Sequence, residues 1–125
     1  MSKAMKTEVI TSNTTIAGNG SPVFNYYGPF LIEKGDSFAV HMEAGAGTDV
    51  TIDVNYTICA TKSGTYFTPS EASLIFTALA VTAIPNAVGF TPVAARWLKI
   101  GIKNKHATTS LTGLYAKLII QEDFN

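Results

Sequence analysis

The sequence predicts an all-β protein: a single antiparallel β-sandwich, jelly-roll-like, with a short N-terminal arm. Three observations predict it. Apolar residues recur with period two along much of the chain, most clearly in Leu98-Lys99-Ile100-Gly101-Ile102-Lys103, where Leu98, Ile100 and Ile102 share one face. Clusters of Gly, Pro and Asn interrupt these runs often enough for roughly six to eight short strands. A length of 125 residues suffices for one self-sufficient core and is too short for two ordinary ones.

Residues 1–21 are polar and end in the turn-rich stretch Ala17-Gly18-Asn19-Gly20-Ser21-Pro22, so they are expected to form an arm with one short strand. Val9, Ile10 and Ile16 are its apolar anchors, with Val9 and Ile10 candidates for contact with a neighbouring subunit. Residues 22–125 are expected to hold the sandwich. In Ser37-Phe38-Ala39-Val40-His41-Met42 the inward positions are Phe38, Val40 and Met42, and in the run from Val50 to Ile58 they are Val50, Ile52, Val54, Tyr56 and Ile58. The intervening Glu43-Ala44-Gly45-Ala46-Gly47-Thr48-Asp49 suits a hairpin that would pair Met42 with Val50, Val40 with Ile52 and Phe38 with Val54.

Thr68-Pro69-Ser70-Glu71 has the form of a capping box with proline at the first helical position, which predicts one helical turn near 69–73. The β-branched residues and Pro85 that follow favour a strand over 74–79. A second hairpin is expected around Asn104-Lys105-His106-Ala107-Thr108-Thr109-Ser110, pairing Ile102 with Thr112, Ile100 with Leu114 and Leu98 with Ala116. On its other face this register sets Trp97 opposite Lys117 and Lys99 opposite Tyr115. These four residues are the main candidates for an interaction surface.

Composition narrows the function. Charged residues make up only 14% of the chain against a usual share of roughly a quarter. Nine Lys plus Arg balance nine Asp plus Glu, and Arg96 is the only arginine. Nucleic-acid binding depends on clustered cations that displace counterions from phosphates, so no nucleic acid is expected as the main ligand. Near-neutrality also lowers the barrier to self-association. The N-terminal stretch lacks the apolar region of a secretory signal and no apolar run reaches membrane-spanning length, so synthesis in a cytoplasm and no membrane partner are expected. Cys59 stands alone, which rules out an intramolecular disulfide.

No catalytic constellation emerges. In the first hairpin register His41 lies within diagonal reach of Asp53, but no serine in a nucleophile elbow accompanies them, and the pair reads as solvated polar groups. Asp36, Glu43, Asp49 and Asp53 gather near one loop without the spacing of a calcium site, so neither a metal nor another cofactor is expected. Exposed aromatics on a weakly charged strand surface have two uses: stacking on sugars or filling a partner's pocket.

From Tyr27-Gly28-Pro29-Phe30-Leu31-Ile32-Glu33-Lys34-Gly35-Asp36, through Phe90-Thr91-Pro92-Val93-Ala94-Ala95-Arg96-Trp97-Leu98-Lys99-Ile100, to Leu118-Ile119-Ile120-Gln121-Glu122-Asp123-Phe124, the chain resembles the small β-sandwich virion proteins of tailed bacteriophages. The resemblance implies a non-enzymatic structural protein of the cement or decoration type. Its expected partners are the major capsid protein or other virion proteins and further copies of itself, as a dimer or trimer, and its expected location is the virion. The alternative is a carbohydrate-binding or tail-fibre adhesion module that uses Trp97, Tyr115 and nearby aromatics as a platform.

Overall fold

Eight strands follow one another: β1 (Ser2–Ile16), β2 (Asn25–Leu31), β3 (Gly35–Glu43), β4 (Thr51–Cys59), β5 (Leu74–Ala80), β6 (Asn86–Phe90), β7 (Trp97–Asn104) and β8 (Leu111–Phe124). They come from a computed structural model that describes residues 2–45, 50–69, 74–80 and 86–124. The expected strand over 74–79 is present as β5, whereas the helical turn expected near 69–73 falls outside the described residues after Pro69.

The strands form two four-stranded antiparallel sheets, ordered β1-β8-β3-β6 (sheet I) and β2-β7-β4-β5 (sheet II). Every connection except β4–β5 carries the chain from one sheet to the other. This interleaving of two Greek keys is the jelly-roll topology. The inward faces meet in one core, in which Val40, Val54, Leu98, Ile100, Ile102, Leu111, Leu118 and Ile120 are all fully buried.

Both expected hairpins are absent. β3 pairs with β6 and β8, and β4 with β5 and β7, so Val40 faces Val88 and Leu118 across its ladders while Ile52 faces Asn104 and Leu79. The second register fails in the same way: Ile100 lies between Tyr27 and Tyr56, and Leu114 is opposite Thr14. Period two states which side of a strand is apolar but not which strand lies beside it. Two stacked sheets stand only about 10 Å apart. A connection of the length that joins β3 to β4 or β7 to β8 therefore crosses to the facing sheet as readily as it turns back.

The N-terminal stretch also departs from expectation. Instead of an arm with one short strand, it forms the 15-residue β1, paired with β8 from Ser2↔Phe124 to Ile16↔Leu111. The register is regular from Ser2 to Val9 and shifts three times beyond it, with Asn13 at a φ of 48°. The sandwich therefore includes residues assigned from sequence to the arm. Alternation places Ile10 and Ile16 in the core, which removes Ile10 as a surface contact.

Asn104, at the end of β7, holds this arrangement together. Its Nδ2 donates to the Ile16 carbonyl at 2.9 Å and the Thr109 carbonyl at 3.0 Å, while its Oδ1 accepts from the His106 amide at 2.9 Å. One buried amide thus ties the end of β1 to the β7–β8 connection.

Candidate interaction surfaces

The outer faces of the two sheets differ in kind. On sheet II, β4 is buried on both sides: the residues that alternate away from the core, Asp53, Asn55, Thr57 and Cys59, are no more than 8% exposed. The segment after β4 turns back beside this strand, with Phe67 bridged to Ile58 through two backbone hydrogen bonds, and brings Tyr66 against Lys99 and Lys62 against Trp97 on this face. Tyr26 adds to the cover, its hydroxyl accepting from Asn55 Nδ2 at 3.2 Å. Gly101, opposite Asn55 in the ladder, leaves the space this requires, since a side chain there would run into both Asn55 and the Tyr26 ring.

Lysines complete the layer. Lys99 Nζ sits 4.4 Å from the Tyr66 ring centroid, Lys103 Nζ 4.7 Å from that of Phe24, and Lys62 Nζ 5.4 Å from that of Trp97. The Phe24 and Tyr26 rings are 6.1 Å apart. Asp53 lies between Lys103 at 3.6 Å and Lys105 at 3.5 Å. Trp97 shares a face with lysines because the ammonium groups rest on aromatic rings, whose faces carry partial negative charge. Burial raises the Tyr66 hydroxyl pKa above its ordinary value, and the neighbouring Cys59 adds to the effect.

The outer face of sheet I carries no such cover among the described residues. Val9, Lys117, His41 and Ala87 run straight across its four strands, followed by Thr7, Ile119, Ala39 and Gly89. Met5 is 65% exposed, Val9 58% and Tyr115 41%. A shallow depression of about 380 Å³ opens near the β3–β6 side, where His41, Glu43, Asn86, Tyr115 and Lys117 supply its polar groups. At the opposite edge Lys3 binds Asp36 and lies 3.2 Å from Asp123, and these carboxylates raise its pKa.

The residues expected to make one surface are thus divided. Trp97 and Lys99 belong to sheet II, opposite Cys59 and Thr57, while Val9, Tyr115 and Lys117 belong to sheet I. Trp97 does not face Lys117, and Lys99 does not face Tyr115, so Trp97 and Tyr115 cannot form a single sugar platform. His41 and Asp53 are likewise on different sheets, which rules out their pairing. His106 serves its own loop, with Nδ1 accepting from the Thr109 amide at 2.8 Å and the Thr108 amide at 3.1 Å. Among the described residues no three His, Cys, Asp or Glu side chains come together as a metal site. Sequence reasoning missed the Tyr26–Asn55 contact and the Asn104 clamp, because both join segments far apart in the chain.

Neither the protein-family models nor the curated proteins include a match to this chain. Among solved structures, the chain superposes on one from the structure of infectious bursal disease virus, Gx strain, with a TM-score of 0.61 at 11% identity. The match covers 96% of this chain and 32% of that one, so this chain spans about a third of the other's length. A chain from a study of Bacillus endospore appendages, described as disulfide-linked pili, gives a TM-score of 0.43 at 13% identity, covering 100% of this chain and 93% of that one. The virus match shows a shared β-sandwich fold.

Proposed function

We propose that this chain is a non-enzymatic structural subunit of a virus particle, a decoration or cement protein that lies on the assembled shell and stabilises it. The observation that carries this reading is the uncovered outer face of sheet I, with Met5, Val9 and Tyr115 exposed beside Lys117. On sheet II an aromatic and lysine layer lies over the polar row of β4, with Tyr26 and Phe67 of that layer themselves 44% and 57% exposed, whereas sheet I carries no such layer among the described residues. A flat apolar strip with few charges suits burial against another protein. The low overall charge and the sandwich fold shared with a chain from a virus structure support the same reading. The partner is the major capsid protein of a tailed bacteriophage, and the protein is made in the host cytoplasm.

A subunit that binds only the assembled lattice shifts the equilibrium away from dissociation by mass action. Val9, Tyr115 and Lys117 provide the contact, while Trp97 and Lys99 act within the subunit. An antiserum against the purified chain, applied to purified particles from the source genome, tests the reading. A band in stoichiometric proportion to the shell protein is expected, and particles that lack the chain would overturn it. In add-back experiments with stripped particles, Val9→Glu is expected to reduce co-sedimentation while leaving the fold intact.

A further inference from the structure

We infer that two copies of this chain pair through their β1 strands, antiparallel about a two-fold axis at Thr7, to make one continuous eight-stranded sheet. β1 ends the order of sheet I, so its far edge has no strand beside it among the described residues. Such an edge presents a row of backbone donors and acceptors ready to accept another strand. From Ser2 to Val9 the register with β8 is regular, which keeps this part of the edge straight.

The side chains select the occupant. Lys6 and Glu8 lie on the core side of β1, opposite Ile120 and Leu118, and Lys6 Nζ reaches the Leu31 carbonyl of sheet II at 3.3 Å. Met5, Thr7 and Val9 lie on the outer side. Lys6 has an ionic neighbour in Glu122 at 3.7 Å, whereas Glu8 has no ion pair among the described residues. An axis perpendicular to the sheet keeps outer residues beside outer residues. Centred on Thr7, it sets Lys6 against Glu8 of the second copy, Glu8 against Lys6, and Met5 against Val9. Each of these cross-strand pairs is favourable.

The alternatives within the straight stretch are poorer. An axis at Lys6 puts two lysines face to face, and one at Glu8 does the same with two carboxylates. An axis at Met5 leaves Lys6 against Ala4 and Glu8 against Ser2. Inward-pointing charges often protect an edge from pairing. Here they match in one register only, so the same charges that repel a foreign strand select a second copy.

The pairing deepens the assembly reading above, since it joins two sheet I faces side by side, and its test is separate. In solution the chain is expected to have twice its 13.3 kDa mass by size-exclusion chromatography with light scattering. Glu8→Lys is expected to weaken the dimer about tenfold or more, and Lys6→Glu with Glu8→Lys to restore it. A second readout does not depend on those charges. Directly opposed residues of an antiparallel pair have Cα atoms about 4.5–5.5 Å apart, within disulfide range. Thr7→Cys is therefore expected to give a covalent dimer on oxidation, with the buried Cys59 as a silent bystander. Met5→Cys should not, because the two copies of residue 5 stand about 13 Å apart along the strands. A monomer in solution, or equal cross-linking of both variants, overturns the pairing. A monomer that still occurs in particles would leave the decoration role intact, and a dimer absent from particles would do the reverse.

Discussion

Replacing Asn104 by alanine removes three hydrogen bonds from a side chain that is only 2% exposed. The Ile16 carbonyl then lies in the interior without its donor, a loss worth about 1–3 kcal/mol for a buried group. The Thr109 carbonyl and the His106 amide are nearer the surface and recover part of their loss from water. They add about 0.5–1 kcal/mol each. The expected total is about 3 kcal/mol. With an unfolding entropy of about 2.1 cal/mol/K per residue, this corresponds to a fall in Tm of roughly 12 °C for a chain of this length. Calorimetry or circular dichroism measures the shift directly. Asn104→Asp keeps the acceptor for His106 but can no longer donate to either carbonyl, so its Tm should fall by a comparable amount. A change below about 1 kcal/mol in both variants would refute the reasoning that this amide fastens the N-terminal strand to the body.

Other expectations follow from the core, the cover of sheet II and the titrating groups. Leu118→Ala empties a fully buried position between β1 and β3 and should cost about 3–4 kcal/mol in urea unfolding. Gly101→Ala forces the Tyr26 ring away from Asn55 and should cost about 1–3 kcal/mol, with a change in tyrosine fluorescence. Stability should decline in the alkaline range. Burial raises the Tyr27 pKa above its model-compound value of 10.0, so the unfolded chain loses that proton first and unfolding is favoured as pH rises past it. Lys3, raised above 10.5 by Asp36 and Asp123, acts in the same sense, because its ion pairs are present below that value and lost as the folded group deprotonates. Tyr27→Phe should flatten the alkaline slope of the unfolding midpoint.

The sequence was legible in one respect and opaque in another. Alternation assigned Val40, Met42, Ile52, Val54, Leu98, Ile100 and Ile102 to the interior, and all seven are buried. It also placed Trp97 and the lysines on the outer side of β7. The pairing of strands was not legible, because a connection such as 105–110 has no residue that distinguishes turning back from crossing over. Tyr66 lies far from Lys99 in the chain, so no spacing rule marks their contact. The N-terminal strand was underestimated for a related reason. Ser, Thr and Asn dominate residues 11–15, and the support for this stretch comes from pairing with β8 and from the Asn104 hydrogen bond to the Ile16 carbonyl, both distant in sequence.

The buried polar row of β4 gives the sandwich two unlike outer faces: on one, rings and ammonium groups overlie a central strand, and on the other no such layer is present among the described residues. Under the proposed role, the overlaid face would be turned to the solvent and the bare one to the shell. Subunits set down in that way would share one orientation on the shell.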